Sequence, residues 1–295
     1  MFDPFKIPPN QTVLIAGPTA SGKSALALRI AEACGGVIVN ADALQVYACW
    51  NILSARPDTD ELSRAPHALY GHAPCTPAYS VGDWLRDVKA LTELGDRLII
   101  VGGTGLYLSS LTEGLSDVPE IPRTIRARAD TLREQDFPGM RAQLKSRDPV
   151  LANRIDLENP MRVQRGWEVF EATGRPLSDW QATKPAPLVA LGSAAAIVLE
   201  APKDWLTPRI DRRFEAMMTK GALEEVRANA AHWQDGAPWT RAIGAVELLS
   251  HLRGEVPLEQ AVLRAQIATR QFAKRQRTWF KARMSNWTRI FAQDL

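Results

Sequence analysis

The chain has 295 residues, of which 45% are hydrophobic and 23% charged, which is typical of an ordinary globular protein with one large domain or two smaller ones. No apolar run reaches the roughly 20 residues that a membrane-spanning helix needs, and residues 1–10 contain no hydrophobic signal core. These observations exclude a membrane protein and a secreted one, so we expect a cytoplasmic protein. Its three cysteines form no C-x-x-C pair and are expected to be buried thiols rather than a disulfide frame or a zinc site.

The first predicted strand, residues 12–16, leads directly into the phosphate-binding pattern G-x-x-x-x-G-K-[ST] at residues 17–24, and a helical run follows. Gly17 and Gly22 allow the backbone to turn its N–H groups toward phosphate oxygens. Lys23 adds a positive charge, Ser24 can hold a magnesium ion, and the helix start adds a favourable dipole. The loop predicts a diphosphate or triphosphate ligand, but it does not identify the molecule that carries it.

Two further strands are predicted at residues 37–42 and 97–101, each after a helix, and this alternation predicts a parallel, doubly wound α/β sheet. Asp42 ends the second strand, at the sheet edge where such folds bind ligands. It is a candidate magnesium ligand, a candidate general base, or a surface carboxylate. Thr104 follows the third strand at the same edge, either as a hydroxyl donor to a diphosphate or as a simple turn residue.

The sequence pattern changes near Gly114, where apolar segments typical of strands are followed by charged segments typical of helices. We therefore predict a core of residues 1–114 and 191–295 and a helical insertion of residues 115–190. In the returning core, Arg209 and Arg213 are spaced i, i+4 on one helix face, where they form either a diphosphate clamp or a solvated face.

The C-terminal arm is basic, since residues 260–293 contain no Asp or Glu. Arg270, Lys274, Arg277 and Lys281 recur at helical spacing, with Phe272, Trp279 and Phe280 among them. Positive charge interleaved with aromatic rings is suited to phosphate neutralisation and base stacking, so this arm predicts a single-stranded RNA partner.

Several segments together resemble the tRNA dimethylallyltransferases, also called tRNA isopentenyltransferases, of the bacterial type. In chain order they are residues 17–24, 40–47, 66–67, 79–80, 101–107, 159–165, 173–176, 241–244 and 268–280. The last, Ala-Thr-Arg-Gln-Phe-Ala-Lys-Arg-Gln-Arg-Thr-Trp-Phe, is highly specific, whereas the phosphate-binding loop alone would not be.

The resemblance implies transfer of a dimethylallyl group from dimethylallyl diphosphate to N6 of adenosine 37, beside the anticodon of tRNAs that read codons starting with U. The phosphate-binding loop would then hold the prenyl diphosphate and not ATP, although such loops are commonly labelled ATP-binding. The implied partners are the tRNA anticodon stem-loop and the prenyl donor, the implied cofactor is Mg²⁺ on Ser24, and a monomer is expected.

The resemblance also assigns roles to residues. The implied catalytic residues are Asp42, as base or acceptor at N6, with Thr104 and Lys23. The implied diphosphate-binding residues are Gly17, Thr19, Ala20, Ser21, Gly22, Lys23, Ser24, Arg209 and Arg213. The implied tRNA-binding residues are Asp42, Ala43, Leu44, Gln45, Arg126, Met161, Arg162, Val163, Gln164, Arg165, Arg241, Ala242, Ile243, Gly244, Lys274, Arg275, Arg277, Trp279 and Lys281.

The chain departs from the family's usual pattern at four positions, Ala43, Asn51, Gly71 and Ala245, where the family often has Ser, Asp, Asp and Tyr. Lys23, Asp42 and Thr104 are retained. Three alternatives stay open on the sequence: a small-molecule kinase that uses the loop with ATP, a relative that prenylates free AMP, and an RNA-binding nucleotide switch without catalysis.

Overall fold

The computed structural model describes Asp3 and residues 6–295. The chain divides into two compact units, one of Met1–Thr112 with Leu188–Leu295 and the other of Glu113–Pro187. No helix within these described residues is long and apolar enough to cross a membrane.

The first unit is built on one six-stranded, all-parallel sheet, which confirms the predicted α/β class. Its strands are β1 (Val13–Ala16), β2 (Val37–Asn40), β3 (His67–Ala68), β4 (Leu98–Gly102), β5 (Ala195–Glu200) and β6 (Thr288–Phe291). Their spatial order is β3-β2-β4-β1-β5-β6. Alternate residues of β1 pack into two different cores, with Leu14 and Ala16 in one and Val13 and Ile15 in the other. Burial of both faces explains why these strands are continuous apolar runs.

Helices of the first unit connect and cover the strands. They are α1 (Lys23–Cys34), α2 (Thr59–Arg64), α3 (Val81–Glu93), α4 (Gly105–Glu113, which ends at the first residue of the other unit), α10 (Lys203–Thr219), α11 (Ala222–Ala230), α12 (Ala245–Leu252) and α13 (Leu258–Arg283). Helix α3 begins with a capping box, in which the Ser80 hydroxyl accepts from the Asp83 N–H and the Asp83 carboxylate accepts from the Ser80 N–H.

The second unit is helical, with α5 (Arg123–Gln135), α6 (Phe137–Arg147), α7 (Pro149–Ala152), α8 (Pro160–Thr173) and α9 (Leu177–Ala182). Its own core contains Met140, Leu144, Val163 and Trp167. Helix α8 is capped at both ends: the Asn159 side chain accepts from the Arg162 N–H with Pro160 in the first turn, and Gly174 ends the helix at φ 67°.

Two features differ from expectation. The chain after α13 turns into the edge strand β6, whose Ile290 pairs with Leu199 of β5, and no strand was predicted there from the sequence. The sulfurs of Cys49 and Cys75 are paired as a disulfide, where unpaired thiols were expected. An isolated β-bridge between Tyr47 and Ala73 brings the loops of the two cysteines side by side. The spacing of the cysteines in the sequence does not reveal this long-range contact.

Candidate active site

The phosphate-binding loop connects β1 to α1 at the carboxyl edge of the sheet. Gly22 adopts φ 87°, a left-handed conformation that L side chains rarely adopt, and α1 begins at the next residue. The loop is closely packed: a Cβ at Gly17 would lie 2.7 Å from the Ser21 hydroxyl oxygen. Ser21 is buried and its hydroxyl has no hydrogen-bond partner in the part of the chain that is described. The loop is therefore a compact turn of backbone that contains one buried, unpaired hydroxyl, that of Ser21.

Lys23 borders a cavity of about 430 Å³ that it shares with Asp42 and Thr104. The pKa of Lys23 is lowered to about 8, chiefly by burial and also by the nearby Arg213 guanidinium, while the Asp42 carboxylate opposes both effects. Burial also lowers the pKa of Arg213, again opposed by Asp42. These two desolvated cations therefore provide a strong site for an anion.

Asp42 and Thr104 are held at the cavity by their own backbone contacts. The Leu44 N–H donates to Asp42 Oδ1 at 2.9 Å, and the Ala43 N–H donates to Thr104 Oγ1 at 2.9 Å. Because the Thr104 oxygen is used as an acceptor, its hydroxyl proton is left to donate toward the cavity. The strands that carry these loops approach so closely that a Cβ at Gly102 would lie 2.0 Å from the Ala41 carbonyl oxygen. Only glycine fits there.

Of the predicted site residues, eleven border this cavity: Thr19, Lys23, Asp42, Ala43, Leu44, Gln45, Thr104, Arg213, Arg241, Ile243 and Arg275. The remaining wall is largely apolar. It includes Leu53, Ile210, Phe214 and Met217, which were not identified from the sequence, and Phe272, which was predicted to stack on RNA bases. Gln45 has a second role, because its amide donates to the carbonyl oxygens of Ser54 and Ala55 at 2.9 and 2.8 Å.

A second cavity, of about 910 Å³, meets the first at Lys23 and Arg213. Four more of the predicted diphosphate residues line it, Ala20, Gly22, Ser24 and Arg209, whereas Gly17 and Ser21 border neither of these two cavities. Arg209 donates from Nε to the Ala20 carbonyl oxygen at 3.1 Å and stacks over the Trp205 ring at 4.3 Å. Three further cations, Arg56, Arg212 and Lys220, line this cavity without having been predicted.

Ser24 is exposed at the start of α1 and borders this second cavity. A hydroxyl oxygen is a hard ligand of the kind that Mg²⁺ accepts, usually together with substrate phosphates and water. Among the residues that the structure describes there is no group of three His, Cys, Asp or Glu side chains that could hold a metal by itself. The donor set therefore fits a magnesium ion that arrives with a phosphate ligand.

A third cavity, of about 390 Å³, lies on another side of α13, between that helix and the β5–β6 edge, and the predicted cations Lys274, Arg277 and Lys281 line it. Arg289 and the exposed Phe291 of β6 complete the same surface. These three cations thus face away from the cavity that holds Asp42, whereas Arg275 of the same helix borders that cavity.

The remaining predicted tRNA-binding residues differ in their exposure to solvent. In the second unit, Arg126, Met161, Arg162 and Arg165 are exposed, whereas Val163 and Gln164 are buried and present no side chain to a ligand. Gln164 instead bonds to Arg133, Asp130 and Glu168. In the first unit, Ala242 and Gly244 are buried, and the Trp279 ring packs on Gly105.

The fold and the cavity define a phosphate-binding protein of the P-loop α/β class. Residues 45–283 match the family model described as IPP transferase, and residues 10–70 match the one described as isopentenyl transferase. The chain is 62% identical over 281 residues to the tRNA dimethylallyltransferase of Dinoroseobacter shibae, covering 95% of each chain. The chain belongs to the tRNA dimethylallyltransferase family, and it is a prenyltransferase.

Solved structures agree with this assignment. The full-length tRNA isopentenylpyrophosphate transferase of Bacillus halodurans matches with a TM-score of 0.68 at 27% identity, over 96% of this chain and 90% of that one. A eukaryotic dimethylallyltransferase, described as acting on tRNA, matches with a TM-score of 0.80 at 25% identity, over 95% of this chain and 73% of that one.

Proposed function

We propose that the chain transfers a dimethylallyl group from dimethylallyl diphosphate to N6 of adenosine 37 in tRNAs that read codons starting with U, with release of diphosphate. The observation that carries this proposal is that Lys23 and Asp42 face one cavity whose remaining wall is largely apolar. A cation for the leaving group, a carboxylate for a proton and an apolar wall for a prenyl chain are the three elements that the reaction needs.

In the proposed reaction, the N6 lone pair forms a bond to C1 of the dimethylallyl group while the bond from C1 to the diphosphate oxygen breaks. The charge that develops on the diphosphate is stabilised by Lys23, Arg213 and the loop amides. The magnesium ion, which Ser24 would hold, supplies further neutralisation of the diphosphate. The Thr104 hydroxyl donates to a diphosphate oxygen at the reaction centre.

The proton that N6 loses passes to Asp42. Its Oδ1 already accepts the Leu44 N–H, so the carboxylate is oriented and Oδ2 is left for the amino group. An adenine amino group is a poor nucleophile because its lone pair is delocalised, so an oriented proton acceptor is required. The base must also leave its stack to reach the cavity. The exposed cations of α13 and of the second unit are proposed to hold the RNA while this occurs.

The test is mass analysis of nucleosides after unmodified tRNA is incubated with the protein and dimethylallyl diphosphate. We expect isopentenyl-modified adenosine only in tRNAs with adenosine 37 in the stated codon class, and none when the donor is replaced by ATP. Modification of free AMP at a comparable rate, or phosphate transfer from ATP, would contradict the proposal.

A further inference from the structure

The buried side chain of Gln276, on α13, joins two loops that are distant in the sequence. Its Oε1 accepts the Thr19 N–H at 2.8 Å, and its Nε2 donates to the Gly103 carbonyl oxygen at 3.0 Å. The side chain is only 5% exposed, so both bonds are shielded from water. Loss of either bond would leave a buried polar group unpaired, which is costly.

The residues around Gln276 are closely packed against the loop that follows β4. A Cβ at Gly103 would lie 2.2 Å from Gln276 Nε2, and a Cβ at Gly105 would lie 2.3 Å from the Trp279 ring. Neither glycine has a positive φ, so both are needed for space and not for backbone conformation. Helix α13 therefore lies directly on the backbone of the loop after β4.

Both loops belong to the candidate active site. Thr19 lies in the phosphate-binding loop, and Thr104 follows Gly103 and binds the Ala43 N–H next to Asp42. The amide of Gln276 thus fixes the separation between the side of the site that would hold the diphosphate and the side that would hold the reacting base.

The same helix also carries the charges that face outward. Lys274 and Arg277 lie on either side of Gln276 in the chain and both line the basic cavity, and Lys274 is exposed. A ligand that orders this turn of α13 must also restrict Gln276, and a ligand that orders the phosphate-binding loop restricts it from the other side.

We propose that Gln276 is a positioning residue that couples RNA binding on α13 to donor binding at the phosphate-binding loop. This inference rests on the function proposed above. Coupling between two ligands is reciprocal, so bound RNA tightens the donor by the same factor as bound donor tightens the RNA. A residue with a structural role alone would change stability and leave that factor unchanged.

The experiment measures the Kd of dimethylallyl diphosphate by calorimetry with and without an anticodon stem-loop whose target adenosine is replaced by purine riboside, which lacks the reacting amino group. For the unaltered protein we expect the RNA to lower the donor Kd by about 5-fold or more. In Gln276→Met the ratio of the two Kd values falls to near one. The matched control is Gln260→Met, an exposed glutamine of the same helix, which keeps the ratio.

Gln276→Glu is the second variant, in case Gln276→Met unfolds in a thermal melt. It keeps the length and the acceptor for Thr19 but loses the donor to Gly103, so we expect part of the coupling to be lost. The inference is overturned if a folded Gln276 variant keeps the ratio of donor Kd values of the unaltered protein, or if RNA does not change the donor Kd of the unaltered protein. If the unaltered protein prenylates an unmodified stem-loop, the proposed function stands in either case; if it does not, both fail.

Discussion

Arg270 of α13 and Asp211 of α10 form an ion pair in which Nη1 lies 2.6 Å from Oδ1. The basic stripe that the sequence shows as one continuous row is therefore not uniform. Its first member is neutralised within the protein, while Lys274 and Lys281 are exposed and Arg277 lines the basic cavity.

This difference makes the first prediction. Replacement of Lys274, Arg277 or Lys281 by Gln should each lower the slope of log affinity for tRNA against log salt by about 0.7–0.9, because each would remove one phosphate contact. Arg270→Gln should change the slope less, since its charge is already paired with Asp211. The measurement is a salt titration of binding to an anticodon stem-loop. Equal changes for all four variants would contradict it.

The variant Asp42→Asn should show whether Asp42 acts as a general base or as a metal ligand. Asparagine keeps an oxygen acceptor for the Leu44 N–H, so the loop should hold its conformation while the proton acceptor is lost. We expect turnover to fall by about 10²–10⁴-fold, with donor and tRNA affinities close to normal in binding assays. Near-normal turnover would exclude the role of base, and a raised magnesium requirement with weak donor binding would assign Asp42 to the metal.

Donor binding should depend on pH through Lys23. The ligand-free protein has a Lys23 pKa of about 8, lowered by burial and by Arg213, so the side chain is charged below that pH and neutral above it. A bound diphosphate favours the charged form and raises the pKa, so binding above pH 8 must take up a proton. We therefore expect donor affinity to fall by up to about tenfold per pH unit above 8. Lys23→Met should bind weakly and lack this fall, and the same fall in that variant would assign it to another group.

Glu225 should control the loop that forms one wall of the cavity. Its carboxylate accepts the backbone N–H groups of Asn51, Ile52 and Leu53 at 2.6, 2.9 and 2.8 Å. Glu225→Ala should lower the free energy of unfolding by about 1–3 kcal/mol, because these donors lose their acceptor, and should lower kcat/KM because Leu53 borders the site.

The control for this variant is Glu224→Ala. Glu224 is exposed and forms an ion pair with the exposed Arg227, at 3.6 Å, so its removal should change stability by less than about 0.5 kcal/mol. Urea denaturation compares the two variants, and equal losses would show that the three backbone bonds contribute little.

The sequence predicted the sheet class and the main polar residues of the cavity because each rests on a local signal. Strand, glycine turn and helix follow one another around Lys23, and Asp42 and Thr104 come directly after apolar strands, so parallel pairing places all three at one edge. The closing motif at residues 268–280 supplied the family.

The apolar wall and the bridging amide were not predictable in this way. Leu53, Phe214 and Phe272 come from a loop and two helices, and no spacing in the sequence shows that they meet. Gln276 reads as one polar residue in a basic helix, and its bonds span 257 and 173 residues. β6 was missed because four residues after a long helix carry little strand signal.

The chain leaves the first unit after α4 and returns before β5 at almost the same point, since the Val189 N–H donates to the Leu111 carbonyl oxygen at 3.1 Å. A gap of this kind can be closed by a short peptide without disturbing any strand. The all-parallel sheet with its phosphate-binding loop can therefore be treated as a scaffold that tolerates modules spliced into this position. We therefore expect the segment Glu113–Pro187 to be exchangeable between relatives as a cassette while the sheet and its phosphate-binding loop are retained.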